Sequence, residues 1–325
     1  EPRLMDRRFP VLPKHSNSMK SLLELSNLQD KRVLVRVDWN VPIVDGRIVD
    51  DFRIKKSLPT INFLQKAGAK VIIVTHLEPE DSSVDILKPY VPNGAELLPN
   101  LRNNAGEKAN SIEFAETLAK QADIFVNEAF SASHREHASV VGVPKLLPSY
   151  AGLEFEEEVK ALSKAFNPPH PFLIILGGAK FETKLPLVNK FVNIADNIHI
   201  AGAMGVKVPP NLRENPKISL PLGDIAALDA DKQNLALLQD KINQARFIVW
   251  NGPLGKYEAG YKEGTERLAR MIIESGREAI VGGADTLAVI KDLNLYNQFA
   301  FVSTGGGAML DFLATGTLPG IEALK

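Results

Sequence analysis

At 325 residues, with 45% hydrophobic and 24% charged residues, the chain is long enough for two globular domains with ample apolar cores. Its 38 Lys and Arg balance 39 Asp and Glu, so no global charge draws it to nucleic acid or a membrane surface, and any bound anion needs a local cluster. Cysteine is absent, which excludes disulfides and thiolate metal sites and fits a reducing, cytoplasmic setting, and no run of about 18 apolar residues suggests a membrane span.

Residues 1–18 are irregular and proline-punctuated, lack the apolar core of a signal peptide, and read as an arm, a tag remnant or a trimmed targeting segment. From Met19 a helix-like MKSLLEL leads into the first strand. The first half predicts strands at RVLVRV (32–37), KVIIVT (70–75), AELL (95–98) and DIFVN (123–127). Ile54, Leu58, Ile61 and Leu64 recur at helical spacing, with Gly68 as the stop. The residues just beyond these strands are charged or amide: Asp38 and Asn40, Thr75 and His76, Asn100 and Arg102, then Asn127 with His134, Arg135 and His137. With Arg53 at the start of its helix, these residues could form a basic basket at one sheet edge. Such a basket suits a small, highly anionic substrate, because guanidinium forks match phosphate and carboxylate. Taken singly, each residue is more simply a surface ion pair or a satisfied histidine.

The segment LEFEEEVKALSKAFNPPHP (153–171) places Phe155, Val159, Leu162 and Phe166 on one helical face, and its three consecutive glutamates are expected to face mostly water. Pro168, Pro169 and Pro171 end the helix. It reads as a link between an N-terminal domain over 19–152 and a C-terminal domain over 172–310.

In the second half, short apolar runs break into glycine at LIILGGAK (173–180), IHIAGAMG (198–205), IVWNGPLG (248–255), AIVGGADT (279–286) and FVSTGGGA (301–308). Each reads as a buried strand ending where only a side-chain-free backbone bends sharply or approaches a ligand closely. Parallel α/β sheets bind ligands at the carboxyl ends of their strands, so the glycines suggest one phosphate- or nucleotide-binding edge. Leu268, Met271 and Ile272 form a helical stripe after Thr265, capped beyond by Gly276. Neither the simple dinucleotide fingerprint nor a G-x-x-x-x-G-K-[ST] loop is present, which argues against hydride transfer and against the common P-loop kinases. The expected fold is α/β, with two Rossmann-like domains of parallel sheet flanked by helices and joined by a linking helix and hinge. A nucleotide on one domain and an anion on the other is the arrangement a phosphotransferase needs.

Taken together, RVDWNVPIVDGRIVDDFRI (36–54), NEAFSASHREHAS (127–139), GGAKFETK (177–184), WNGPLG (250–255), GGADT (282–286) and STGGGAMLDFLATGTLP (303–319) resemble the phosphoglycerate kinase family, in order, from about residue 28 to 324. The resemblance implies a cytoplasmic, glycolytic monomer that passes a phosphoryl group between 1,3-bisphosphoglycerate and ADP, with Mg2+, giving 3-phosphoglycerate and ATP. It further implies domain closure about the hinge, and a final segment (311–325) that returns to the N-terminal domain. An acid-substrate basket of Asp38, Asn40, Arg53, His76, Arg102, His134 and Arg135 is implied, with Arg102 and Arg135 on the distant phosphate and Arg53 on the migrating phosphoryl. Lys180 and Lys184 are implied on the nucleotide side, and Gly305, Gly306 and Gly307 against the group in flight. Gly178, Ala179, Gly202, Asn251 and Glu258 would form the nucleotide cleft with Gly283 and Ala284. Asp285 is the implied metal-linked aspartate, and Thr286 would touch nucleotide phosphates. Independently of the family, Lys180 and Lys184, four apart at a helix start, would present paired positive charge.

The chain departs from the family pattern at Glu78 and Pro79, where glycine, arginine and proline usually follow the histidine and leucine, and at Pro99, where a glutamate is usual. These substitutions motivate the alternative of a nucleotide-binding pseudoenzyme of the same fold. Abrupt joins near Glu80, Met204 and Asp231 are expected to mark mobile loops missing from the sequence rather than true shortening.

Overall fold

Residues 19–325 are described by a computed structural model; the expectations for residues 1–18 lie outside the described residues. The strands are β1 Arg32–Val37, β2 Ile43–Val44, β3 Arg47–Ile48, β4 Lys70–Val74, β5 Glu96–Leu97, β6 Ile124–Glu128 and β7 Ser149–Ala151 in the first half. The second half holds β8 Phe172–Leu176, β9 Asn197–Ile200, β10 Ile218–Ser219, β11 Phe247–Asn251, β12 Glu278–Gly282 and β13 Phe301–Val302. One sheet runs β5-β4-β1-β6-β7 and the other β10-β9-β8-β11-β12-β13, with every pairing in both parallel. All residues of β8 and β11 are buried, as helices on both faces of a parallel sheet require.

Strand order reverses twice in ways that matter for a site. In the first sheet the chain leaves β1 toward β4 and returns on the other side as β6, with Arg36 opposite both Val74 and Asn127. In the second it leaves β8 toward β9 and returns as β11, with Leu176 opposite Asn251. Such switch points open crevices beyond the strand ends. The residues there are Asp38 in one sheet and Gly177 with Gly252 in the other.

The helix Leu153–Ser163 lies between the lobes. Its Phe155 meets Phe130 of the first lobe edge-on at 5.8 Å, and Phe130 meets Phe312 of the helix Gly307–Thr315 at 5.9 Å. Phe166 continues the chain of rings to Phe312 and to Phe191. This seam joins the lobes by apolar contact, which tolerates small rotations better than directional bonds do. The lobes also touch at the cleft's far side, where Phe52 stacks on Tyr296 at 4.2 Å and the Tyr296 hydroxyl donates to Asp50. The C-terminal segment comes back to the first lobe: the Gly320 amide donates to Ser133 O at 2.9 Å and the Lys20 amide to Leu324 O at 3.3 Å.

Several expectations are corrected. MKSLLEL forms only a single 3-10 turn, Leu22–Glu24, with Ser21 and Glu24 in a capping box. Ser21 is drawn into a strand-like bridge with Ala151, so no longer helix can start there. The glutamates of the linking helix do not all face water: Glu158 is fully buried and Glu154 nearly so. Glu158 accepts from the Thr304 amide and hydroxyl across the lobe boundary, a partner invisible to periodicity. The antiparallel hairpin β2–β3 is an addition to the expected elements, although Asp45-Gly46, both at positive φ, is a turn signal. The segments at the three joins make local hydrogen bonds. Ser82 N donates to Pro79 O, Val208 N to Gly205 O, and the Asp231 carboxylate caps the helix Lys232–Gln244 through Asn234 N.

Candidate active site

A cavity of about 540 Å3 opens between the lobes, walled on one side by Asp38, Asn40, Arg53, His76, His134 and Arg135. The other wall carries Gly178, Ala179, Lys180, Lys184, Asn251 and Glu258, and the glycine turns that contain Gly283, Ala284, Asp285, Gly305, Gly306 and Gly307.

The first wall is built from β1 and the turn after it. Arg36, in β1, is fully buried, which is rare for arginine and needs compensation. Its Nε donates to Ser139 Oγ at 3.0 Å, its Nη1 donates to Val37 O, and its Nη2 lies 3.1 Å from His76 Nδ1. Arginine only donates, so His76 Nδ1 accepts and the ring proton sits on Nε2. Burial, opposed only partly by Asp38, pushes the His76 pKa down to about 3, so the ring is neutral near pH 7. Asp38 accepts from Arg53 Nη1 at 2.8 Å and from the Ser131 hydroxyl. Burial alone would raise its pKa, but the Arg53 charge and that hydroxyl hold it well below the usual carboxylate range. With His76 neutral, Arg53 is the partner that keeps Asp38 ionised.

Arg53 also reaches the other lobe. Its Nη1 donates to Asn40 O at 3.3 Å and its Nη2 to Thr304 O at 3.1 Å, beside the Gly305–Gly307 turn. Glu158 binds Thr304 from the far side, so one residue before the glycines joins both the linking helix and the basic wall.

The second wall depends on backbone approach. A Cβ on Gly177 would stand 2.0 Å from Pro253 O, and one on Gly252 would stand 2.2 Å from Gly177 O, so these strand-end turns interlock only as glycines. The Gly177 amide donates to Asn251 O and that of Gly178 to Pro253 O. The expected helix at Lys180 begins later, at Leu185, with Lys184 as its N-cap residue. Both lysines still line the cavity, because the turn rather than a helical face presents them. Lys184 is largely buried, its Nζ donates to Gly177 O at 2.8 Å, and burial lowers its pKa. Asp285 stands in the first turn of the helix Ala284–Asp292, whose N-cap is Gly283 at φ 101°. Burial first, then Glu258, raises the Asp285 pKa. Gly306 caps the helix Gly307–Thr315, whose N-terminal amides favour anions.

Three expected residues stand off this cavity. Arg102 is buried beside Arg135 but pairs with Glu78, its Nη1 lying 3.4 Å from Glu78 Oε1. Thr286 is fully buried and its hydroxyl accepts from the Gly252 amide at 3.0 Å, so it fixes the turn from behind. Gly202 lines a smaller crevice with Leu254 instead. Ser131, Thr183 and Leu310 join the cavity lining beyond the expected set. A serine or a leucine carries no distinctive spacing, but an arginine inside an apolar strand, as at Arg36, is a readable signal.

The phosphoglycerate kinase family model matches residues 23–90, 85–208 and 211–316. A phosphoglycerate kinase of Caulobacter vibrioides is 34% identical, covering 93% of this chain and 98% of its own length. That of Dictyoglomus turgidum is also 34% identical, over 94% and 99%. Among solved structures, the phosphoglycerate kinase of Coxiella burnetii superposes with a TM-score of 0.80 at 30% identity, and that of Pyrococcus horikoshii OT3 with 0.83 at 28%, each covering 94% of this chain and 98% of its own. The Caulobacter alignment spans 390 positions against the 325 residues here, so that relative carries insertions this chain lacks.

Proposed function

The chain belongs to the phosphoglycerate kinase family, and on that premise we propose how its own residues carry the reversible transfer of a phosphoryl group between 1,3-bisphosphoglycerate and ADP. In the direction of ATP use, a carboxylate oxygen of 3-phosphoglycerate attacks the γ-phosphorus. The new O–P bond forms as the bond to the β,γ-bridging oxygen breaks, and ADP leaves with that electron pair. No proton transfer and no covalent enzyme intermediate are required, so the protein's work is alignment and charge neutralisation.

The observation that carries the reading is the two-walled cavity bridged by Arg53, which holds Asp38 on one lobe and Thr304 on the other. In this reading Asp38, Asn40 and neutral His76 orient the acid, while Arg53, Lys184 and the Gly305–Gly307 turn face the migrating group. Arg135, His134 and Arg102 serve the distal phosphate. Gly178, Ala179, Lys180, Asn251, Glu258, Gly283 and Ala284 flank the nucleotide, and Gly202 and Thr286 support those turns from outside the cavity.

Mg2+ fits this donor set in one way. Among the described residues no group of three His, Cys, Asp or Glu side chains could hold a metal, so the protein offers no cage of its own there. Asp285, a half-buried cavity carboxylate whose ionised form is disfavoured by burial and by Glu258, suits a magnesium ion shared with nucleotide phosphates. When bound, the ion would supply charge neutralisation to those phosphates.

The reading also takes residues 19–152 and 172–310 as the acid and nucleotide domains, 153–171 as the hinge, and the protein as a cytoplasmic monomer. Nothing observed favours a pseudoenzyme. The test is ATP-dependent phosphorylation of 3-phosphoglycerate with magnesium in a coupled assay, beside Lys184→Ala. Turnover lost in the variant is expected; ADP binding without turnover in the unmodified chain overturns the reading.

A further inference from the structure

A carboxylate stands against a cation of the anion basket. Arg102 cannot move far: its side chain is buried, and its amide donates to Asn100 Oδ1 at 3.1 Å. Its Nη1 faces Glu78 Oε1 at 3.4 Å, while its Nε and Nη2 are buried without a partner among the described residues. Two unused donors on one edge of a guanidinium make a ready fork for an oxyanion. A buried polar group left unpaired is costly, so the edge is unstable unless something reaches it.

Glu78 is the opposite kind of group, with its side chain 50% exposed. Its carboxylate can swing into water, at a cost set by its attraction to the buried Arg102 guanidinium. The backbone that carries it is pinned. Asn100 Nδ2 donates to Leu77 O, Glu80 O and Ser82 O at 3.0, 3.2 and 3.1 Å, and Asn100 Oδ1 accepts from Leu77 N. Lys108 pairs with Glu80, and the Glu78 amide donates to Asn40 Oδ1 at 3.1 Å. Only the Glu78 side chain is therefore free to leave, and its main chain goes on orienting Asn40 when it does.

We propose that Glu78 is a specificity-determining residue: its carboxylate occupies Arg102 in the resting site and yields that guanidinium only to a strongly anionic distal group, a dianionic phosphate rather than a weaker oxyanion. This rests on the phosphoglycerate reading of the same cavity. Arg135 lies on the cavity wall beside Arg102, so the distal subsite combines two cations with one built-in anion. The anion subtracts attraction from every ligand, and a singly charged one is left with too little to displace it.

Glu78→Gln removes the charge and keeps the size and the backbone. Its KM for 3-phosphoglycerate is expected to fall about tenfold, with the change in KM rather than kcat and with KM for ATP unmoved. Inhibition by nitrate, a singly charged oxyanion, should strengthen by at least as large a factor, because discrimination between anions relaxes. Glu78→Ala should behave alike, which separates charge from a hydrogen bond that glutamine could keep. Calorimetric binding of 3-phosphoglycerate reads the same effect without turnover. Tighter binding in both variants supports the proposal; equal or weaker binding in a folded variant, or nitrate inhibition unchanged, overturns it. Failure of the unmodified chain to phosphorylate 3-phosphoglycerate, with the binding shift intact, would overturn the reaction and not the role of Glu78.

Discussion

The two walls of the cavity prepare for anions by different means. On the first, guanidinium groups in and behind the wall meet protein partners: Arg53 meets Asp38, Arg36 meets Ser139 and the Val37 carbonyl, and one nitrogen of Arg102 meets Glu78. On the second, glycine turns and the starts of two helices line the space, with Lys184 held by a carbonyl. Several guanidinium groups within reach of one another repel, so a basic wall needs internal counter-ions before its substrate arrives. Peptide dipoles carry no net charge and need none; they require close approach, and glycine permits it. The first wall is therefore tunable by single charges, and the second is intolerant of single carbons.

The sharpest way to break this contrast is to remove one cation from each wall. Arg53→Ala and Lys184→Ala should each lower kcat on the order of 10²–10³-fold while nucleotide affinity changes far less, as loss of a transition-state donor does. Steady-state kinetics beside calorimetric ADP binding would check it, and equal losses in both quantities would refute the assignment. Next comes the carbon test. Gly177→Ala places a Cβ against the Pro253 carbonyl and should destabilise the fold by about 2–4 kcal/mol in urea unfolding, because backbone cannot step aside.

A third test concerns the seam between the walls. Burial pushes the Glu128 pKa up to about 7, and burial with the neighbouring Glu158 charge pushes that of Glu154 up to about 8, from an ordinary 4.5. The folded state thus keeps protons that the unfolded state has released. This contribution to stability is complete below about pH 4.5 and is lost as pH rises through the two folded values. Denaturation at about pH 6 and about pH 9 should show the decline, and Glu154→Gln should flatten it. The smallest effect is expected far from either wall. The Arg32–Asp123 pair, with side chains 48% and 38% exposed, should yield less than about 1 kcal/mol when Asp123 becomes alanine.

Much of this architecture is legible in the chain. Every one of the glycine-terminated apolar runs is a strand of the second sheet, because a residue buried on both faces must be apolar and a strand end meeting a ligand edge must bend. The charged residues after β1, β4 and β6 are readable for the same reason, since polar groups inside a parallel sheet's strands are costly and collect at its ends. The pattern leaves unread the short strands β2, β3, β7 and β10, whose two or three residues give no periodicity.

The sequence by itself determined which residue types meet at each sheet edge, because that follows from local alternation and turn chemistry. Only the tertiary structure decided their partners. Glu158 looks solvent-facing until Thr304 arrives from 146 positions away, and Arg102 looks like a cavity residue until Glu78 takes one of its nitrogens. Thr286 looks like a phosphate contact until its hydroxyl is found on the Gly252 amide. Burial of a polar group is settled by the partner that satisfies it, and partners distant in sequence exist only once the chain has folded.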